Sequence, residues 1–258
     1  MSKILRKVKL LVFEPKMIGL FIELAWKKLF PVHSELSVRA DDWCDKYAIS
    51  VPDALEKIRQ GDTTESFHKL FKDDLEDAKR RMRDCPISLG GGASHDLLYY
   101  CVESIKAKNV IETGVAMGWS SLSILLSLDK RDTGKLISTD IPYLVEPHLH
   151  SKNSEYVGVV VPEKLKSRWS IIRRRDKKAL PAAIKEMPSI DLCHYDSDKS
   201  YTGRMFAYPI LWKALKEGGI FISDDVADNQ AFRIFCERIK VTPIIAKTKY
   251  RYIGIIFK

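Results

Sequence analysis

From Asn109 to its end, the chain alternates short apolar runs with longer stretches of helical periodicity, and few folds satisfy that alternation. The strand candidates are the run beginning NVIE at 109, then KLISTD (135–140), WSIIRRR (169–175), IDLCHYD (190–196) and GIFISD (219–224). Helical patterns occupy 118–128, 177–187, 200–217 and 228–239. Strands separated by helices lie parallel, with the helices covering the faces of the sheet. The last residues, TPIIAKTKYRYIGIIFK, hold two apolar runs with only a short connection, which forces them to pair antiparallel as a hairpin. The expectation is an α/β chain: a doubly wound, mostly parallel sheet of seven strands closed by a C-terminal antiparallel hairpin.

The first of these strands runs into a glycine-spaced turn, NVIETGVAMGWSSL (109–122). Val110 and Ile111 end on an acid, Glu112. Gly114 and Gly118 follow, and Ser120 and Ser121 lead into the helical LSILLSL. Glycines let a backbone approach a ligand closely, and a helix N-terminus offers unpaired N–H groups. The spacing is not the G-x-G-x-x-G of dinucleotide binders, and the Lys-Ser/Thr of a phosphate-binding P-loop is missing. It resembles motif I of class I methyltransferases that use S-adenosylmethionine (SAM). That resemblance implies a Rossmann-like methyltransferase fold in which Glu112, Gly114, Gly118 and Ser120 border the cofactor.

Open α/β sheets bind ligands at the carboxyl ends of their strands, and the acids of interest all fall there. Asp140 ends KLISTD, roughly 20 residues past the glycine turn, where an acid can accept hydrogen bonds from both ribose hydroxyls. A helix cap is its plainer role. Glu112 either shapes the turn or meets the amino-acid end of the cofactor. Asp176, after IIRRR, either lies near the adenine ring, as the resemblance implies, or caps the next helix. Trp119 either stacks near the cofactor or fills an apolar contact.

Asp196 ends the strand at 190–196, and Asp224 and Asp225 end its neighbour at 219–224. Three converging carboxylates repel unless protons or a cation neutralise them, and hard oxygen donors select Mg²⁺, Mn²⁺ or Ca²⁺. The alternative is that Asp196 alone orients substrate while Asp225 caps a helix. The pattern D-x-x-K-x-Y followed by GG-x-x-x-x-DD is similar to metal-dependent O-methyltransferases of the catechol and caffeoyl-CoA type. It is closer to the group of macrocin-type sugar O-methyltransferases and cephalosporin-hydroxylase-like proteins. The resemblance implies Mg²⁺ on Asp196, Asp224 and Asp225, and makes Lys199 the base that removes a substrate hydroxyl proton, with Asp196 as the alternative base. The chain departs from the catechol type in ending Asp-Asp rather than Asp-Asn, and sugar-modifying members often carry His near position 199.

His194, on the same strand face as Asp196, is either a further base or a satisfied buried histidine. Tyr201 and Arg204 open the next helix, within reach of substrate or Asp198. His148 and His150 form H-x-H in a loop with no third ligand nearby in sequence.

The resemblance covers residues 86–258, leaving 1–85 as an N-terminal helical extension. Residues 1–30 mix basic and apolar side chains at helical spacing. They read as a helix packed on the domain or on a second copy, as a peripheral membrane-surface helix, or as a targeting segment. Residues 35–84 read as charged helices covering one edge of the domain, with Thr64 or Ser66 able to cap one of them. Gly90, Gly91 and Gly92 form either a lid over the pocket or a linker.

The net charge of +9 is dispersed apart from Arg173–Arg175, and no nucleic-acid motif accompanies it, so specific nucleic-acid binding is not expected. Five scattered cysteines with no C-x-x-C argue against a zinc site and a disulfide framework, and suit a reducing cytoplasm. The function expected is transfer of a methyl group to a hydroxyl of a sugar, glycan or small natural product. The open alternatives are a SAM-binding accessory or hydroxylase-like protein, and a nucleotide-sugar or NAD enzyme on the same fold.

Overall fold

The computed structural model describes residues 35–58, 65–90, 92, 94–141 and 156–258. The readings of residues 1–30, Thr64, Gly91, His148 and His150 lie outside these residues. Among the described residues the strands are β1 (Ala48–Ser50), β2 (Asn109–Thr113), β3 (Lys135–Asp140), β4 (Trp169–Arg173), β5 (Ile190–Tyr195), β6 (Leu215–Ser223), β7 (Ile244–Lys247) and β8 (Tyr252–Phe257). They form one sheet in the order β1-β7-β8-β6-β5-β2-β3-β4. Every pairing is parallel except those of β8 with β6 and with β7. The doubly wound sheet and its C-terminal hairpin are therefore as the alternation requires.

The sheet has eight strands where the sequence pattern predicts seven. The additional strand, β1, comes from the N-terminal extension and pairs parallel with β7, Ala48 opposite Ile245 and Ser50 opposite Lys247. Three residues are too few to show an alternation, so the pattern has no means of declaring this strand. Its physical role is plain: without it the outer edge of β7 would present unpaired backbone groups.

The helices are α1 (Asp41–Tyr47), α2 (Val51–Ile58), α3 (Phe67–Leu70), α4 (Lys72–Asp84), α5 (His95–Ser104), α6 (Trp119–Lys130), α7 (Asp176–Glu186), α8 (Tyr201–Ala214) and α9 (Ala231–Ile239). Side chains alternate across each strand and divide the core into two layers. Val110, Leu136, Leu192, Ile220 and Ile222 face α2, α5 and α6. Ile111, Ile137, Cys193, Phe221 and Ile256 face α7, α8 and α9. Ala54, Leu55, Ile58, Phe67, Leu75 and Ala78 share the first layer with Leu97, Leu125 and Leu136, so the described part of the extension is packed into the domain's own core. Backbone bonds Ala40 N to Ala227 O (2.8 Å) and Gln230 N to Leu36 O (3.1 Å) tie it to the far end of the chain. Ser66, one of the two predicted caps, accepts from the backbone N–H of Lys69 at the start of α3.

The strand order reverses between β2 and β5: after β2 the chain builds outward through β3 and β4, and from β5 it builds the other way. A crevice opens at the carboxyl end of such a switch point. Glu112, Asp140, Asp196, Asp224 and Asp225 all lie around it.

Candidate active site

The turn between β2 and α6 is held in an unusual backbone. Gly114 (φ +83) and Gly118 (φ +93) take left-handed conformations, and Ala116 (φ 50) does so without being glycine. A β-carbon on Gly114 would lie 2.2 Å from the backbone oxygen of Asp196, and one on Gly118 would lie 2.7 Å from Cα of Gly158. Both glycines are therefore needed for chain-to-chain approach at the crevice. The segment after residue 156 completes the turn, with Gly158 N bonded to Ala116 O (2.9 Å) and Val160 N to Met117 O (3.1 Å). Nothing in the sequence spacing marks this segment as part of the pocket.

Asp140, buried at the end of β3, accepts at Oδ2 from the N–H groups of Ala116 (3.0 Å) and Val115 (3.3 Å). Burial pushes its carboxyl above the usual range, against the pull of those N–H groups and of Arg173, whose Nη1 is 4.0 Å away. Ser120 sits half-buried in the first turn of α6. Asp176 is the first residue of α7 and makes no cap there, the cap position being Arg175. Its Oδ2 instead accepts from Ser197 Oγ (2.6 Å), and that serine oxygen lies 3.0 Å from Thr113 Oγ1, whose hydroxyl is free to donate to it. Trp119 meets the ring of His95 edge-on at 5.7 Å between centroids, which supports its apolar-contact role.

Register explains a buried polar row beneath the turn. Ser138 on β3, Glu112 on β2 and His194 on β5 are direct neighbours across the sheet. Glu112 Oε2 accepts from Ser121 Oγ (2.5 Å) and Ser138 Oγ (2.8 Å), and Trp169 Nε1 donates to Ser138 Oγ (2.8 Å). His194 lies between two carboxylates, with Nδ1 3.5 Å from Glu112 Oε1 and Nε2 3.4 Å from Asp224 Oδ1. The first of these is an ion-pair contact without hydrogen-bond alignment, since neither atom has a bonded partner. Arg251, on the hairpin between β7 and β8, completes the row by donating from Nη1 to Asp224 Oδ2 (3.0 Å). Glu112 thus supports the fold beneath the turn.

Burial works against charge on His194, but Asp224 and Glu112 outweigh it and raise its pKa to about 10. A histidine held as an imidazolium cannot serve as a base. The folded chain keeps this proton between the ordinary value of about 6.5 and about 10, where the unfolded chain gives it up. The group's contribution to stability is therefore complete below about 6.5 and lost as pH rises toward 10. Urea unfolding at pH 7 and pH 9 is expected to show this loss in the wild type and a smaller one in His194→Gln. An identical pH dependence in both would contradict it.

Asp196 follows β5, its N–H bonded to Thr113 O (2.9 Å). Burial pushes its carboxyl up to about 6, helped by the charge of Asp224 and opposed by His194 and Lys199. Asp224 is buried deeper, yet its carboxyl is held below the usual range by His194, Arg251 and Lys199 despite that burial. Lys199 reaches back between the acids, with Nζ 3.2 Å from Asp196 Oδ1 and hydrogen-bonded to Asp225 Oδ2. Burial opposes its charge, but Asp196 and Asp225 raise its pKa above the ordinary value. An amine so held stays protonated, which removes the reason for assigning it as the base.

Asp225 takes a left-handed conformation (φ 53), uncommon for a non-glycine residue. Beneath it Arg204, fully buried in α8, donates from Nη2 to the backbone oxygens of Asp224 (3.1 Å) and Asp225 (2.8 Å). Arg204 therefore grips the backbone under the acid pair.

The expectation of a divalent cation on Asp196, Asp224 and Asp225 finds no support among the described residues. Among the described residues, no three His, Cys, Asp or Glu side chains converge as a ligand set. The acids are near one another, but Lys199 lies between Asp196 and Asp225, and both oxygens of Asp224 face His194 and Arg251. Compact Mg²⁺ coordination requires oxygens free to turn toward one point; those of Asp224 are taken by His194 and Arg251, and the Lys199 ammonium stands between Asp196 and Asp225. Sequence spacing brought out the acids; it missed Arg251 because the hairpin delivers it from the far end of the chain.

The residues around the turn suit SAM: a buried carboxylate stands at the end of β3, and the glycine turn opens onto the carboxyl ends of β2 and β5. Residues 111–226 match a family described as a methyltransferase domain. No curated protein sequence matches the chain. A methyltransferase from Geobacter sulfurreducens aligns at TM-score 0.53 and 12% identity, covering 81% of this chain and 97% of its own. An O-methyltransferase from Bacillus cereus in complex with SAH aligns at TM-score 0.50 and 16% identity, covering 83% and 100%. The O-methyltransferase TomG of Streptomyces achromogenes, involved in tomaymycin synthesis and solved with SAM, aligns at 0.50 and 17%, covering 83% and 97%. At these identities the solved structures share the fold with this chain.

Proposed function

We infer that this chain, whose residues 111–226 match a methyltransferase-domain family, is a SAM-dependent O-methyltransferase acting on a hydroxyl of a sugar or small natural product. The observation that carries the reading is the placement of Asp196. Its backbone lies directly over the glycine turn, against Gly114, while its carboxylate faces the Lys199 ammonium at the mouth of the crevice. A carboxylate at the switch point, next to a cofactor cradle, is positioned to act on a group presented to that cofactor.

Bound SAM supplies a methyl group on a positively charged sulfur. The chain's own residues do the rest. Asp140 and the turn that it braces would hold the nucleoside end, and Asp176 with Ser197 borders the same crevice. Asp196 would accept the proton of the acceptor hydroxyl as its oxygen attacks, and this orientation substitutes for a bimolecular encounter in water. The pairing of His194 with Glu112 and Asp224 leaves Asp196 as the acid best placed for that proton.

The test is SAH release from SAM across a panel of hydroxylated acceptors: sugars, nucleotide sugars, phenols and acyl glycans. Acceptor-dependent SAH formation is expected for at least one hydroxyl class. SAM binding without turnover on any acceptor would favour an accessory role instead. Among the described residues no helix is long and apolar enough to cross a membrane; whether residues 1–30 contact a membrane surface is a question for vesicle sedimentation.

A further inference from the structure

We propose that Lys199 takes the place that a divalent cation would hold in this site, so that the chain transfers methyl groups without a metal, its ammonium gripping the acceptor oxygen. The proposal rests on the methyltransferase reading above and concerns how the acceptor is held.

Three acids stand at the carboxyl ends of β5 and β6; Lys199, Arg251 and Arg204 reach them, and the His194–Glu112 pair abuts Asp224. Lys199 bridges Asp196 and Asp225. Arg251 donates to the inner acid, Asp224. Arg204 is buried beneath the Asp224–Asp225 backbone and donates to both carbonyls. The His194–Glu112 pair adds no net charge, so the formal charges of this group sum to zero and a dication would leave two positive charges uncompensated in a partly buried site. It would also have to displace the Lys199 ammonium and break Arg251 from Asp224.

An ammonium has three N–H donors. One donates to Asp225, and Asp196 Oδ1 lies 3.2 Å from the same nitrogen as an ion pair, so a direction remains for an acceptor where the half-exposed lysine opens toward solvent. A hydroxyl docked there would receive a hydrogen bond from Lys199 and donate its proton to Asp196. As the O–H bond breaks, the proton passes to the Asp196 carboxylate. The oxygen forms its bond to the methyl carbon, and the carbon–sulfur pair returns to sulfur. Lys199 keeps its proton throughout and balances the charge developing on oxygen. The hairpin that carries Arg251 also reaches the glycine segment, with Nη2 3.5 Å from Gly92 O, so one arginine joins the acid cluster to the rim.

Three measurements on the full-length protein decide this. Mn²⁺ titration read by electron paramagnetic resonance is expected to show no uptake up to about 1 mM, the weak end of protein cation sites. Turnover in excess EDTA is expected to equal turnover in Mg²⁺. Lys199→Met is expected to lower kcat by about 10²–10³, the effect of losing one donor to a developing oxyanion, with SAM affinity unchanged. Stoichiometric Mn²⁺ uptake that Asp196→Asn abolishes, EDTA-sensitive turnover restored by Mg²⁺, or an unchanged kcat in Lys199→Met would each overturn the proposal. Failure to bind SAM in either buffer would instead sink the methyltransferase reading, and the Mn²⁺ titration would still decide whether the acids hold a metal.

Discussion

Replacing Asp196 with asparagine is expected to lower turnover by about 10²–10⁴, the usual contribution of a positioned proton acceptor, while SAM affinity stays near that of the wild type. The substitution keeps the side chain's size and removes its capacity to take a proton. The backbone features that seat the residue, its N–H on Thr113 O and its own oxygen over Gly114, do not depend on the carboxylate. An equal loss of SAM affinity and turnover would mean that Asp196 holds the cofactor or the fold. A loss smaller than tenfold would move the proton to another acceptor. His194 is a poor candidate, because its place between Glu112 and Asp224 keeps it protonated. Lys199 is equally poor, because its contacts with Asp196 and Asp225 hold its own proton in place.

The second large effect is expected at the glycine turn. Gly114→Ala places a β-carbon 2.2 Å from the Asp196 backbone oxygen at φ +83, so it meets a clash and a disfavoured backbone at once. The conformational part alone is about 1–3 kcal/mol, which for a chain of this size corresponds to a fall in Tm of roughly 2–4 °C per kcal/mol. The clash is with backbone, which cannot rotate away, so the turn must move and Asp140 loses the N–H groups that it grips. SAM binding is expected to weaken by more than tenfold. Gly218→Ala provides the comparison, because Gly218 has φ +77 with nothing within 4 Å of the added carbon. It should reproduce the conformational loss in Tm without any change in SAM affinity. Equal SAM affinity in wild type and Gly114→Ala would remove the turn from the cofactor site.

Most of the fold was readable because strand and helix periodicities differ and the chain alternates them cleanly after Asn109. The turn from β2 to α6 was readable for the same reason, its glycines standing where a strand must become a helix. β1 was not, since three residues carry no period. The acids at the strand ends were also visible in sequence, because switch-point topology fixes where strand ends meet. What neutralises those acids was not visible. Arg251 reaches Asp224 from the terminal hairpin, and Arg204 turns inward from α8 to bind carbonyls, a contact that no side-chain pattern encodes. Glu112 shows the same limit from the other side. Spacing left it open between a cofactor contact and a structural role. The row of Ser138, Glu112 and His194 across three strands supplies the structural one, and that row appears only when strand register is known.

The proposed activity requires that the crevice at the ends of β2, β3 and β5 bind SAM. Isothermal titration of the full-length protein with SAM, in EDTA and beside a matched titration with NAD, tests it most directly. Saturable one-to-one binding of SAM, lost in Asp140→Ala and with no heat from NAD, is the predicted result. Saturable NAD binding with no response to SAM would contradict it and assign the crevice to dinucleotide chemistry.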